Sequence, residues 1–230
     1  MEEMIRKFFG GKDHLIRRYL IFLAGLTVCS LGVAITTKAA LGTSLVAAIP
    51  YSISLAFPSF TFGQWLIAFS LVQIAVQIVL LRRKCIPSEL LIQAILSFAY
   101  GYLTDFSVAL VSTVQLPTYF HEFAFLIGGC FVLALGVYLE LVGDVAMLPG
   151  DAFNRAVAYV LHQPYDKVKI TVDVSMTAIS AVLCLVTMGK LNGVREGTIV
   201  AAFLVGYIIR VYHGLFTHWE QVILPKKAYQ

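Results

Sequence analysis

Long apolar runs separated by short polar breaks organise this chain. Eight runs stand out, at about 18–37, 43–57, 63–81, 88–111, 122–142, 151–162, 167–188 and 196–216. Six are roughly 20 residues long, enough for a helix rising about 1.5 Å per residue to cross a hydrocarbon layer of about 30 Å. The second and sixth are shorter: roughly 12–15 residues cover only about 18–22 Å. Between Ala39 and Leu81 there is no charged residue, a stretch too long for one buried helix and long enough for more than one passage through lipid.

The two groups of four runs resemble each other. Gly25-x5-Leu31-Gly32-Val33 recurs as Gly129-x5-Leu135-Gly136-Val137, Ala40-Leu41-Gly42 answers to Leu148-Pro149-Gly150, and Ser97 to Tyr102 answers to Ala202 to Tyr207. Three landmarks in the same order at nearly constant offset indicate an internal duplication. The expected organisation is an N-terminal segment over 1–17, one membrane repeat over 18–112, a loop over 113–120, a second repeat over 121–217 and a tail over 218–230.

Composition agrees with a bilayer as solvent. Of 230 residues 59% are hydrophobic and 13% charged, with a mean hydropathy of +0.84, whereas a soluble domain is about 45–50% apolar and roughly 25% charged. The apolar run Tyr19 to Ala40 is too long for the core of a signal peptide and returns as a diverged copy, so it reads as a retained helix. The four cysteines, Cys29, Cys85, Cys130 and Cys184, have no metal-ligand spacing and fall mostly in apolar runs, where they read as small packing residues.

Charge then predicts how the segments cross. Arg6, Lys7, Lys12, Arg17 and Arg18 precede the first helix, and Arg82-Arg83-Lys84 follows the third run. Cytoplasmic loops are rich in Lys and Arg, and both groups lie inside only if two of the first three runs span. The same count puts Lys167, Lys169, Lys226 and Lys227 inside and only Lys190 and Arg195 on the unfavoured side. The expected fold is thus an all-α integral membrane protein of two inverted repeats, each with three transmembrane helices and one short re-entrant or interfacial helix. Both termini are expected in the cytoplasm of a multipass cell-membrane protein. The net charge of +4 belongs to these topology signals, and no soluble domain is left to bind nucleic acid.

The short segments open on Gly42-Thr43-Ser44 and Pro149-Gly150-Asp151, residues suited to starting and capping a helix. As half-helices they would meet near the midplane and offer free amides to an anionic group, with Asp151 partly satisfying the second; as interfacial helices they would do neither. Charges inside a membrane are costly and usually have a partner. Lys169 and Asp173 stand one helical turn apart at the head of the seventh run, and Glu140, Asp144 and Arg210 are expected at a similar depth. These five form a candidate ion- or substrate-binding cluster, or else a staple between the seventh and eighth helices. Gln73 and Gln77 line the third helix. Gly193 to Thr198 lacks a phosphate-loop lysine and reads as a turn and helix start. Tyr102 and Tyr207 read by default as interfacial, and His14, His121, His162, His213 and His218 sit at predicted membrane borders without metal spacing. No catalytic motif, metal site or cofactor site is visible, so an enzyme is not expected.

In the repeated Leu-Gly-Val, the Ala-Leu-Gly and Met-Leu-Pro-Gly turns, the Lys169-x3-Asp173 helix and Asn192-Gly193-Val194-Arg195-Glu196-Gly197-Thr198, the chain resembles the YczE/YyaS/YitT family of bacterial multipass membrane proteins over nearly all of Arg18 to Phe216. The resemblance implies membrane location and transport without naming a substrate. Inverted repeats with interrupted helices are a recurring plan of secondary transporters. The expected function is a small secondary transporter of a small solute, an anionic one included, with alternating access around a midplane site. The alternative is a non-transporting accessory or regulatory membrane protein that stabilises a partner complex, and the partners open to the chain besides lipid and solute are a second copy or another membrane protein.

Overall fold

The computed structural model describes residues 15–82, 85–190 and 193–223, with side chains described for 16–216 within them. The expectations placed on Arg6, Lys7, Lys12, His14, Arg83, Lys84, Asn192, Lys226, Lys227 and the His218 side chain lie outside the described residues. All regular structure in the described residues is helical: α1 Leu15–Lys38, a 3-10 turn Leu45–Ala47 leading into α2 Ala48–Ala56, α3 Phe62–Leu81, α4 Pro87–Ser112, α5 Tyr119–Gly143, α6 Pro149–Leu161, α7 Tyr165–Met188 and α8 Glu196–Ile223. Six are long and apolar enough to cross a membrane. With 9 and 13 residues, α2 and α6 are not. The protein is a multipass helical membrane protein.

The most extensive interface joins α1 to α5, and the repeated glycines make it. A Cβ on Gly32 would lie 2.5 Å from the Leu133 backbone, and one on Gly136 would lie 2.5 Å from the Cys29 Cα. Gly25 meets Gly136 to Glu140 in the same way, and Gly129 meets Ile35 and Thr36. As one helix advances the partner position falls, so α1 and α5 run antiparallel. That direction decides the crossing count. Helices α1 and α5 oppose each other only if an odd number of crossings, α1, α3 and α4, precedes α5; a spanning α2 would make them parallel.

The short helices exchange partners. α2 packs on α7 and α3, while α6 packs on α3 and α7. Ser180 and Cys184 of α7 hydrogen-bond toward α2, with Ser180 Oγ donating to Ala48 O at 2.9 Å and Cys184 Sγ donating to Ser52 Oγ at 3.1 Å. On the other side Gln77 Nε2 of α3 donates to Pro149 O at 3.3 Å. The two short segments meet at their starts: a Cβ on Gly150 would lie 3.5 Å from Val46 Cγ1 and 3.9 Å from the Gln73 carboxamide.

The loops before the short helices turn on residues with positive φ, Ala40 at 55° and Asp144 at 45°. Gly42 at φ 120° is held so tightly against Thr198 that no side chain fits. Side-chain capping of the first short segment, expected from Thr43 and Ser44, does not occur. Ser44 occupies the N-cap position without a side-chain bond, because the loop is held by backbone contacts instead: Thr43 N donates to Thr198 Oγ1 at 3.3 Å and Gly197 N to Leu41 O at 2.9 Å. In α3 the start is capped twice over, by a Thr61–Gln64 capping box and by Asp105 from α4, whose Oδ1 accepts from Gly63 N at 2.7 Å.

The halves differ in how their last two long helices pack. α3 and α4 pack closely, with Gly101 against Gly63 and Ile67, whereas α7 and α8 form no comparable contact and Gly206, in the matching position, has nothing within 4 Å of an added Cβ. Gly32→Leu and Gly136→Leu are each expected to destabilise the protein by about 1–3 kcal/mol or more through overpacking, and Gly206→Leu by less than about 0.5 kcal/mol. Thermal unfolding in detergent checks all three.

Candidate functional site

The first turn of α6 collects a group of polar side chains. α6 starts at Pro149, whose missing N–H suits the first helical position, and Gly150 follows, where the chain passes Gln73 and Val46. Asp151 comes next and turns toward α7. Its Oδ1 accepts from Lys169 Nζ at 2.8 Å and from Tyr165 Oη at 3.1 Å, and Asp173 Oδ2 lies 4.0 Å from the same ammonium. One lysine thus serves two carboxylates from neighbouring helices, and Asp151 supplies the negative charge that the free amides of the α6 start favour.

Three carboxamides, Gln73, Gln77 and Gln93, gather on the α3 side of that turn. Gln77 Nε2 is shared between Gln93 Oε1 at 3.2 Å and Pro149 O at 3.3 Å. Gln73 lies one turn away on α3, facing Gly150, and Asn154 follows Gly150 by one turn on α6. All four are buried. Gln77 and Gln93 also line a cavity of about 560 Å³, together with the exposed Glu89, Asp144, Arg155 and Tyr159 and the buried Ala152. Its size is that of a small-molecule site. The Arg155 guanidinium turns aside to Met147 Sδ at 3.2 Å.

The five-residue cluster expected from sequence divides. Asp173 and Lys169 are together, joined by Asp151, which sequence reasoning had placed only at a helix start. Glu140 is not part of that group: it sits on α5 where Gly25 of α1 crosses, with a buried Oε1 that takes no hydrogen bond. Asp144 caps α5 and lines the cavity wall. Arg210 is exposed on α8. The staple between the seventh and eighth helices is therefore corrected, because α8 packs on α5 while the face of α7 carrying Asp173 is turned to α6.

Tyr102 and Tyr207 are exposed, and it is Tyr100 that reaches the interior, 3.8 Å from Cys29 Sγ. Sequence reasoning also passed over Gln93 and Asn154; a carboxamide inside an apolar run, the signal that singled out Gln73 and Gln77, was available for Gln93.

A family profile matches residues 16–214, nearly the whole described fold. The chain belongs to DUF6198, a family of unknown function. No curated protein and no solved structure matches this DUF6198 chain. The carboxamide group, the Asp151–Lys169–Asp173 triad and the cavity all lie within the matched segment.

The triad is open to a double-mutant cycle. Both Lys169 and Asp151 are partly exposed, so the pair is worth less than a sealed one. Asp151→Asn and Lys169→Gln should each lower the melting temperature, and the double variant should recover part of the loss, with a coupling of about 0.2–1 kcal/mol. Asp173→Asn and Arg210→Gln should be additive.

Proposed function

We propose that this chain is a small secondary transporter whose two halves are inverted repeats, moving a solute between the cytoplasm and the outside by alternating access. The observation that carries the reading is the difference between its two ends. By sequence offset and by contact, the end of α7, the start of α8, the loop Ala39 to Ser44 and α2 are the counterparts of the end of α3, the start of α4, the loop Asp144 to Leu148 and α6. The second set encloses the cavity. The first set is packed shut. There a Cβ on Gly193 would lie 2.9 Å from Cys184 Sγ and against Ser52, Ser52 and Ser180 hydroxyls are 2.6 Å apart, and Arg195 donates to Ala40 O at 3.1 Å.

Two related ends in opposite states are what alternating access requires at any moment. The α1–α5 crossing supplies an axis, since each repeated glycine meets its partner helix at the position equivalent to the one its own counterpart meets. The exchange of α2 and α6 between the halves lets the third helices carry the short helices with them. Charge favours placing the open cavity, Arg82 and the end of α6 in the cytoplasm. The resemblance to the YczE/YyaS/YitT family points the same way and adds no substrate.

Cys184 is fully buried at the packed end. With Cys29, Cys85 and Cys130 replaced, a membrane-impermeant maleimide applied outside intact cells is expected to label Cys184 slowly, as that end opens. A static accessory protein would leave it unlabelled for hours under the same conditions, and that result would overturn transport. Orientation has its own check: in the same background with Cys184 also replaced, Leu116→Cys is expected to label from outside and His162→Cys only after permeabilisation.

A further inference from the structure

One interior carboxyl stands apart from the triad and the carboxamides. Glu140 lies near the end of α5, where its backbone is part of the α1–α5 crossing: an added Cβ on Gly25 would lie 2.8 Å from Glu140 N. Its Oε1 is sealed from solvent and takes no hydrogen bond. Among the described residues Glu140 has no ion-pair partner. The ionisable groups facing it are Cys29 of α1, Tyr100 of α4 and Asp151 of α6, none of them a cation. Arg18 of α1 donates instead to Gly143 O at 3.3 Å. Helix α8 meets α5 through Tyr138 and Tyr212, on the other side of α5 because Tyr138 is two residues from Glu140, and Arg210 and His213 of α8 are exposed.

The corresponding position in the first half shows what packing alone requires there. At the sequence offset that relates Gly25 to Gly129, Glu140 corresponds to Thr36. The contacts agree, since an added Cβ on Gly129 would lie 3.1 Å from Thr36 N. Thr36 is fully buried and its hydroxyl donates to Val33 O of its own helix at 2.9 Å. A self-satisfied hydroxyl thus fills this position at the shut end, and a carboxyl with an open oxygen fills it at the end with the cavity. Inside a membrane an unpaired carboxylate is costly and calls for a reason beyond packing.

We propose that Glu140 is the proton-binding group of the transport cycle: the halves turn about the α1–α5 crossing when this carboxyl holds a proton and stay in place when it is ionised, so that solute movement is coupled to the proton gradient. The proposal rests on the transport reading and names its coupling ion. The proton joins a carboxylate oxygen and leaves it for water, with no other bond made or broken. Exchange with the cytoplasm runs by the cavity wall, because Asp144, which lines the cavity, follows Glu140 by one turn. A proton needs no ligand shell, whereas a hard metal cation takes several oxygens. The side chains facing Glu140 are a thiol, a phenol and one carboxylate already bonded to Lys169 and Tyr165.

Infrared spectroscopy reads the proton directly. At neutral pH the full-length protein in lipid is expected to show the carbonyl band of a neutral carboxylic acid that Glu140→Gln removes, and the same band should vanish as the pH is raised. Gln resembles the protonated acid in size and hydrogen bonding, so Glu140→Gln is expected to melt at or above the parent. Turning is read by maleimide labelling of Cys184 from outside, in the background lacking the other three cysteines and with a protonophore to equalise pH across the membrane. Dividing by the labelling of Leu116→Cys at the same pH removes the pH dependence of the thiol reaction. Relative labelling is expected to fall by about five-fold or more between about pH 6 and about pH 9. It should stay at its low-pH rate throughout in Glu140→Gln and regain a pH dependence in Glu140→Asp.

Absence of the band from the parent, its survival in Glu140→Gln, or a pH response of Cys184 that Glu140→Gln leaves unchanged overturns the proton role. Glu140→Gln melting well below the parent would make the carboxylate structural and overturn it as well. A Cys184 labelled at the same relative rate at every pH refutes the coupling and leaves transport standing, whereas a Cys184 unlabelled at every pH refutes transport itself and the coupling that rests on it.

Discussion

Everything in this fold hangs on the close antiparallel crossing of α1 and α5. In lipid, helices gain little from burying apolar surface against each other, so packing distance and hydrogen bonds decide which helices associate. Gly25, Gly32, Gly129 and Gly136 remove the side chains that would hold these two backbones apart. The crossing sets the direction of α5, and that direction requires an even number of crossings between the two helices, supplied by α3 and α4, so α2 does not span. A buried stretch beside a helix that does not span must satisfy its backbone groups without water. It does so before α2 by docking Leu41 and Thr43 on Gly197 and Thr198, and at the start of α6 by surrounding Pro149 and Gly150 with carboxamides.

The two halves differ in their chemistry. Gln77 of α3 and Ser180 of α7 each bond to the short helix of the other half, one with a long amide and one with a hydroxyl. The longer side chain reaches across a wider gap, and that is the side with the cavity. The shorter one goes with the tight packing of Ser52, Cys184 and Gly193. Charge is likewise concentrated in one half, where Lys169 neutralises carboxylates on α6 and α7 at once. The contact between α3 and α4 has no equal between α7 and α8, which leaves the outer faces of α7 and α8 to the surrounding lipid.

Apolar run length and the absence of charge were enough to mark the eight helices of the described residues, with ends within a few residues except at the C-terminal end of α8, because membrane thickness and hydrogen-bond closure leave few alternatives to a helix of a given length. The glycine spacing also marked the close-packed helices, although the same small-x3-small pattern packs at Gly101 and faces open space at Gly206. A local pattern records that close approach is allowed, and only the neighbouring helix decides whether it is used. For the same reason, depth along a helix brought Asp173 and Arg210 to one level without revealing that their faces point to different neighbours.

The sequence by itself determined the solvent, the length of the helices among the described residues and the presence of ionisable and amide groups inside apolar segments. Those properties depend on composition and on periodicity along one helix. The tertiary structure decided which polar groups meet: that Lys169 turns to Asp151, that Gln93 joins Gln77, that Gln73 and Asn154 are left unpaired, and that one end is open while its counterpart is shut. Each of these depends on the rotation of one helix against another, which is fixed by long-range packing and leaves no trace in the residues of either helix alone.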